Sequence, residues 1–176
     1  MLTKFTPAEV NMSQEIADSI DISMELGGMK TPRYKGMSDK ECMAELYELC
    51  KLAWAEFDIE SKENKSEYVA RIQRELAEVE DAGLQHYFMI VFQVCKFCDD
   101  NEILRGFGRG SCAGSLVLYL LKVTQYADPI KYGLLWERFW NHGRKGSMPE
   151  VDLDIQIDRR DEVLQYLKDE FGKDRV

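Results

Sequence analysis

The chain has 176 residues, 45% of them hydrophobic, and a formal net charge of −9 at pH 7. This length fits one domain or two small lobes, with enough apolar side chains for a core. The net charge has the wrong sign for a free-standing nucleic-acid-binding domain, which usually presents a basic face. The acidic excess lies upstream, because residues 1–100 hold 11 Lys and Arg against 20 Asp and Glu, whereas residues 101–176 hold 12 of each. The downstream part can therefore still present basic residues to phosphate.

The sequence contains no stretch that is long and apolar enough to span a membrane. Residues 87–98 are apolar, but they are too few and are interrupted by Gln93 and Lys96. The N-terminus lacks the apolar core and cleavage site of a signal peptide. Five cysteines, an odd number, fit a reduced compartment rather than a disulfide framework. These features predict a soluble, cytoplasmic protein without a membrane partner.

Two amphipathic helices are predicted first. Thr6 and Pro7 are typical of a helix start, and Gly27-Gly28 of a helix end. The apolar residues between them recur every four positions, at Met12, Ile16, Ile20 and Met24. The capping-box pattern of Ser38 and Glu41 predicts the start of the second helix. Its apolar face would be formed by Met43, Leu46, Tyr47, Cys50 and Trp54.

Two further helices are predicted before residue 100. A charged linker at residues 60–67 precedes the third helix, which Gly83 would end. The inward residues of that helix are Val69, Ile72, Leu76 and Val79. Residues 86–99 are predicted to form a buried helix.

The composition changes after residue 104, where three glycines fall within five residues. The apolar run SLVLYLLKV that follows predicts a buried helix. Asp128-Pro129 predicts another helix, through Trp140, with a loop at residues 141–149. Residues 159–171 predict a last amphipathic helix, with Val163, Leu164, Leu167 and Phe171 facing inward.

Asp152 and Asp154 form a candidate metal site. They alternate with Val151, Leu153 and Ile155, which is the period of a strand with both carboxylates on one side. Paired carboxylates supply the hard oxygen ligands that Mg²⁺ prefers, and two such ions can stabilise an in-line phosphoryl displacement. The alternative is an edge strand whose Asp residues merely face water.

The segment from Gly108 to Ser115, GRGSCAGS, is a candidate phosphate-binding turn. Glycines allow close approach of an anion, the following helix would add free N–H groups, and Arg109 adds a guanidinium. The segment matches neither the P-loop nor the dinucleotide fingerprint nor a nucleophile elbow. The alternative is a tight turn whose small residues serve helix packing.

The cysteines and histidines suggest no metal or redox chemistry. Cys95 and Cys98 have the spacing of a redox or zinc motif, but they lie within an apolar helical run. No second such pair exists, and the only histidines are His86 and His142. We expect the thiols to be buried and structural.

Several segments, in order and spacing, closely resemble the C family of replicative DNA polymerases, the alpha subunits of bacterial DNA polymerase III. They are GRGSCAGSLVLYLLKVT, DPIKYGLLWERFWN, SMPEVDLDI and RRDEVLQYLKDEFGKDRV. The resemblance is strong from about residue 66 onward and weaker before it. The sequence departs from the family pattern at four places, none of which removes a matched functional residue. There is one extra residue in each of VTQYADP and NHGRKGSMP, Glu150 replaces the commoner Asp, and Cys112 replaces the usual Ala.

The resemblance implies a fold that is α+β and mostly helical. Residues 1–65 would form a helical thumb-adjacent region, and residues 66–176 the first part of a palm similar to the polymerase-beta nucleotidyltransferase fold. Asp152 and Asp154 would be the catalytic, metal-binding aspartates for two Mg²⁺ ions. The residues that bind the phosphates of the nucleotide would be Arg109, Gly110, Ser111 and Ser115.

The resemblance also implies partners and leaves three functions open. The first is part of a DNA-directed DNA polymerase that binds dNTP and primer-template DNA. A second chain would supply the rest of the palm, the third carboxylate and the fingers, in a bacterial cell or a phage-infected host. The second is a non-catalytic fragment that binds a polymerase partner or a nucleotide. The third, a stand-alone nucleotidyltransferase, would need a third acid, for which Asp158 and Asp161 are poorly placed.

Overall fold

A computed structural model describes residues 4–23, 31–144 and 148–173. Six α-helices are present in these ranges, and short 3₁₀ turns connect several of them. The helices are α1 (Pro7–Ser19), α2 (Asp39–Glu56), α3 (Lys65–Asp81), α4 (Gln85–Asp100), α5 (Leu116–Leu120) and α6 (Arg160–Phe171). The expectation of a mostly helical fold is confirmed. No described helix is long and apolar enough to cross a membrane.

The sequence signals for helix starts act as predicted. Ser38 and Glu41 bond reciprocally across the first turn of α2, and Thr6 and Glu9 do the same at α1. These side chains satisfy N–H groups that have no partner within a helix. The predicted stop at Gly83, with φ of +69°, comes one residue after the end of α3, which Ala82 caps. The linker at residues 60–67 is shorter than predicted, because α3 already begins at Lys65.

Helix α1 contributes no residue to the core in the described part of the chain. None of its residues is buried, and Met12, Ile16 and Ile20 are all more than half exposed. It ends at Ser19, earlier than predicted, since helices gain most of their stability from packing an apolar face. The predicted stop at Gly27-Gly28 and the predicted apolar position Met24 lie outside the described residues.

One apolar core joins α2, α3, α4 and α5, and a second, smaller cluster packs α6 against α4. Helix α4 contacts α2 on one side and α6 on the other, and α5 packs against α2 and α3. Residues on both sides of position 65 share this core, so Ile59 and Tyr68 belong to the same cluster. The domain boundary at residue 65 stays a prediction. Cys42, Cys50, Cys95, Cys98 and Cys112 are all free and buried, as expected for structural thiols.

The predicted apolar face of α2 is partly wrong. Leu46 and Cys50 are buried, but Tyr47 is 55% exposed. The buried stripe instead runs through Cys42, Leu46, Cys50 and Ala53. Tyr47 lines an open groove of about 810 Å³ between α2 and α3.

The helix predicted for residues 128–140 is wrong. The chain forms a turn after Asp128, which caps it by accepting bonds from Ile130 and Lys131 N–H at 3.0 and 3.1 Å. Gly133 has a φ of +62°, and Leu135 is extended, so the helical path is interrupted twice. Only the 3₁₀ turn Trp136–Arg138 follows, and it places Trp136 in the core.

The strand predicted for residues 151–155 is present only as isolated antiparallel bridges. Asp152 pairs with Arg109 and Ile155 with Arg105. Two backbone bonds, from Gly106 N–H to the Asp154 carbonyl and from Gln156 N–H to the Leu104 carbonyl, are both 2.9 Å long. In the described part of the chain no further strand pairs with either segment. The mostly helical class therefore holds, and the palm remains a proposal.

Candidate functional site

The glycine-rich segment and the two aspartates lie side by side. The bridge between Arg109 and Asp152 places the start of the 3₁₀ turn Gly110–Gly114, here called the glycine turn, next to both carboxylates. Residues more than forty positions apart in sequence thus form one surface. This juxtaposition connects the two candidate motifs of the sequence into a single candidate site.

Asp152 and Asp154 face outward together, as the alternating pattern predicted. Their side chains are 46% and 65% exposed. The intervening apolar residues pack on the opposite side, Val151 and Leu153 against the main core and Ile155 against the cluster under α6. The hydroxyl of Tyr87 accepts the Val151 N–H at 3.1 Å and fixes the start of this segment. Burial raises the pKa of Tyr87 to about 12, so this hydroxyl stays neutral.

Both carboxylates converge on Arg109. Its Nη1 lies 3.7 Å from Asp152 Oδ2, and its Nε lies 3.2 Å from Asp154 Oδ1. The guanidinium is itself 61% exposed, so solvent weakens this attraction. The arrangement shows that the two aspartates can share one cationic group.

Gly106 and Gly110 lie so close to the two aspartates that a side chain at either position would be crowded. A Cβ added at Gly106 would lie 3.0 Å from the Asp154 Cβ, and one at Gly110 would lie 3.3 Å from Asp152 Oδ2. Gly110 also has a φ of +76°, which side chains disfavour. A side chain at either position would require the neighbouring aspartate to shift by a few tenths of an ångström.

The glycine turn forms one wall of a small pocket of about 200 Å³. Gly110 and Ser111 line it on this side, and the segment from Gly133 to Leu135 lines the other. Arg138 completes the pocket and adds a cationic group that our sequence reasoning missed. The sequence predicts a helix around Arg138. A single Arg on a predicted helix does not indicate that its side chain borders the distant glycine turn.

Ser115 lies inside the protein and not on this surface. Its hydroxyl donates to Glu75 Oε2 at 3.0 Å and accepts the Leu118 N–H at 3.1 Å, so it caps α5. Its assignment to phosphate stays a prediction that these bonds do not favour.

The expectation that the helix after the turn offers free N–H groups is wrong for the first turn of α5. Glu75 on α3 accepts from the Leu116 and Val117 N–H groups, both at 3.0 Å. A buried carboxylate therefore already occupies the position where an external anion would bind a helix N-terminus. Burial raises the pKa of Glu75, while these N–H groups and Arg71 act in the opposite direction.

The residues present fit a divalent cation in part. Asp152 and Asp154 offer exposed carboxylate oxygens, the type of ligand that Mg²⁺ prefers. Among the described residues, no group of three or more His, Cys, Asp or Glu side chains is arranged to hold a metal. Asp158 and Asp161 lie in the turn and helix after the segment, as the sequence predicted.

The fold and the paired motifs define a helical domain whose glycine turn faces two carboxylates. The family model described as the bacterial DNA polymerase III alpha NTPase domain matches residues 39–176. The chain therefore belongs to the family of bacterial DNA polymerase III alpha subunits.

Individual relatives support the same family. The DNA polymerase III subunit alpha of Halalkalibacterium halodurans is 36% identical over 170 residues, which cover 97% of this chain and 15% of the relative. The subunit alpha of Vibrio cholerae is 36% identical over 177 residues, with the same two shares. That of Bacillus subtilis is 36% identical over 168 residues, covering 94% of this chain and 14% of the relative. The chain thus spans about 15% of the length of the first two of these relatives.

Proposed function

We propose that this chain supplies part of the palm of a replicative DNA polymerase. It would contribute the turn that binds the dNTP phosphates and two of the carboxylates that hold Mg²⁺. The observation that carries this proposal is the pairing of Arg109 with Asp152, which brings the two motifs onto one exposed surface. Membership in the alpha-subunit family supports it.

Each residue of the site would have a distinct task. Gly110 and Ser111 would present backbone N–H groups and a hydroxyl to the phosphates, and Arg109 would neutralise their charge. Arg138 borders the same pocket and would bind phosphate from the other side. Asp152 and Asp154 would hold two Mg²⁺ ions, which when bound stabilise the charge on the reacting phosphate oxygens.

The reaction would add dNTPs to a primer 3′ end, with primer-template DNA bound across the site. Phosphoryl transfer of this kind depends on positioning and on neutralised charge. The described residues offer two carboxylates at the site rather than three. We therefore propose that a second chain completes the palm, in the bacterial or phage-infected cytoplasm. The chain alone would then extend no primer.

Primer extension tests this function. The chain would be assayed with Mg²⁺, four dNTPs and a primed template, alone and with the downstream palm region of the Bacillus subtilis relative. We expect extension only in the mixture, and its loss with Asp152→Asn. Asp158→Asn is the matched control, because Asp158 is an exposed carboxylate that bonds to Gln156 and not to Arg109. Equal activity of the mixture with Asp152→Asn would refute the assigned role.

A non-catalytic role is the second candidate. Two observations on the described residues favour a fragment that only binds a polymerase partner or a nucleotide. Apolar residues of α1 are exposed, and the site there has two carboxylates rather than three. That function predicts binding of a polymerase partner or of dNTP by the chain, but no extension in any mixture.

A further inference from the structure

Glu75 is a fully buried carboxylate at the centre of the domain. Its side chain is 0% exposed, although it lies on the otherwise amphipathic α3. A buried charge is costly unless it is paired and hydrogen-bonded. Here it accepts four bonds, two from backbone N–H groups of α5, one from the Ser115 hydroxyl, and one from Arg71. Such complete satisfaction fixes α5 in a single position relative to α3.

Arg71 extends this contact to the candidate site. Its Nε donates to Glu75 at 2.7 Å, one helical turn away on α3. Its Nη2 donates to two carbonyl oxygens, that of Gly114 at 2.7 Å and that of Leu134 at 2.8 Å. Gly114 ends the glycine turn, and Leu134 belongs to the opposite wall of the pocket. The Arg71 guanidinium therefore connects the glycine turn to the opposite wall of the pocket without lining the pocket itself.

The planar guanidinium suits this task in a way that Lys does not. Three acceptors lie around it in fixed directions, and a single ammonium on a flexible stem cannot hold all three. The side chain is 16% exposed, so competition from water is limited. The distance between the two walls then depends on the Arg71–Glu75 pair.

We infer that Arg71 and Glu75 are positioning residues that set the width of the pocket between the glycine turn and the segment from Gly133 to Leu135. This inference rests on the proposed function, in which that pocket receives the dNTP phosphates. Neither side chain needs to touch the nucleotide. Their effect reaches it through the backbone that they hold.

The test uses Arg71→Lys and Glu75→Gln in the full chain. Arg74→Lys is the matched control, because Arg74 lies on the same helix and pairs with Glu78 at the same spacing, but contacts Glu137 rather than the turn. Two quantities are measured for each variant with Mg²⁺: the Kd values for dATP and dAMP, and the hydrogen-exchange rates of amides 110–118. A change in pocket width should weaken dATP binding about tenfold or more and affect dAMP much less.

The outcomes separate this inference from the proposed function. Faster exchange confined to residues 110–118, with a selective loss of dATP affinity in the two test variants alone, supports it. Unchanged exchange there, equal losses for dATP and dAMP, or the same effect in Arg74→Lys would overturn it. If the unsubstituted chain binds no dATP even together with the downstream palm region, the proposed function fails. The local exchange rates then decide by themselves whether the pair positions the turn.

Discussion

Among the described glycines, Gly114 leaves the least room for a side chain. A Cβ added there would overlap the carbonyl oxygen of Leu135, which is backbone and cannot rotate away. We expect Gly114→Ala to lower the free energy of unfolding by roughly 1–3 kcal/mol, because the two walls must separate. Urea unfolding measures the change.

Gly133→Ala is the control for that substitution. Gly133 has a φ of +62° but open space around its Cα, so only backbone strain opposes a side chain. Gly133→Ala should lower the free energy of unfolding by less than Gly114→Ala does, and it should leave the glycine turn in place. An equal or larger loss for Gly133→Ala would show that crowding against Leu135 is not the dominant effect.

Asp128 makes stability depend on pH. Burial acts to raise the pKa of this carboxyl, but bonds from Tyr68 and Lys131 N–H and the charge of Lys62 outweigh it and hold the pKa below its usual range. A carboxyl with a lowered pKa in the folded state contributes stability above its unfolded pKa, and this stability is lost as the pH falls through the folded pKa.

We therefore expect the free energy of unfolding to fall as the pH is lowered from about 5 through the usual Asp pKa of about 3.9 and below it. Part of that fall should be absent in Asp128→Asn, which cannot ionise. Chemical denaturation at a series of pH values checks this. The same slope in both proteins would mean that Asp128 does not contribute.

Helices α1 and α2 begin with the same type of capping box, but they should contribute differently to the global free energy of unfolding. Ser38→Ala should cost about 1 kcal/mol of global stability, because α2 contributes Leu46 and Cys50 to the core. Thr6→Ala removes the same type of cap from α1, which buries no residue. Its effect on the global free energy of unfolding should be near zero, although the helicity of α1 should decrease. Equal losses in the two variants, followed by circular dichroism during denaturation, would contradict this difference.

Local signals predicted the helices well where they were strong. Ser38 with Glu41 and Gly83 each specified an end of a helix through bonds within a few residues. The helix predicted from Asp128 to Trp140 was wrong. The sequence pattern there is compatible with a helix, but Gly133 and the capping bonds of Asp128 favour turns instead. Tyr47 was placed inward because apolar spacing alone does not show which side of a broad stripe faces a neighbour.

The candidate site was only partly predictable. Alternation placed Asp152 and Asp154 on one face, which the structure confirms. Their pairing with Arg109 is a long-range contact that periodicity does not encode. The capping of α5 by Glu75 had no sequence signal, because one Glu on an amphipathic helix is normally exposed.

At the scale of the whole molecule, the ends of the described chain should differ in importance. A chain that starts at Thr31 lacks α1 and, among the described residues, loses no buried side chain, so its thermal midpoint should stay within about 2 °C of the full chain. A chain that stops at Arg159 lacks α6, and so loses Val163 from the cluster with Val94 and Cys98 and the stack of Tyr166 on Phe97. Its midpoint should fall clearly. Calorimetry compares the two, and a large drop for the first chain would show that α1 docks on the core.

The burial of all five thiols gives the molecule an internal reporter of its own opening. Burial raises the pKa of Cys50 and Cys95 to about 12 and that of Cys42 to about 11, so few thiolates form while the core is closed. Alkylating reagents attack the thiolate, and labelling must therefore wait for a transient opening. Cys42 and Cys50 lie on α2, and Cys112 lies in the glycine turn. The order in which these cysteines become alkylated, followed by mass spectrometry, would therefore show the order in which these parts of the domain unfold.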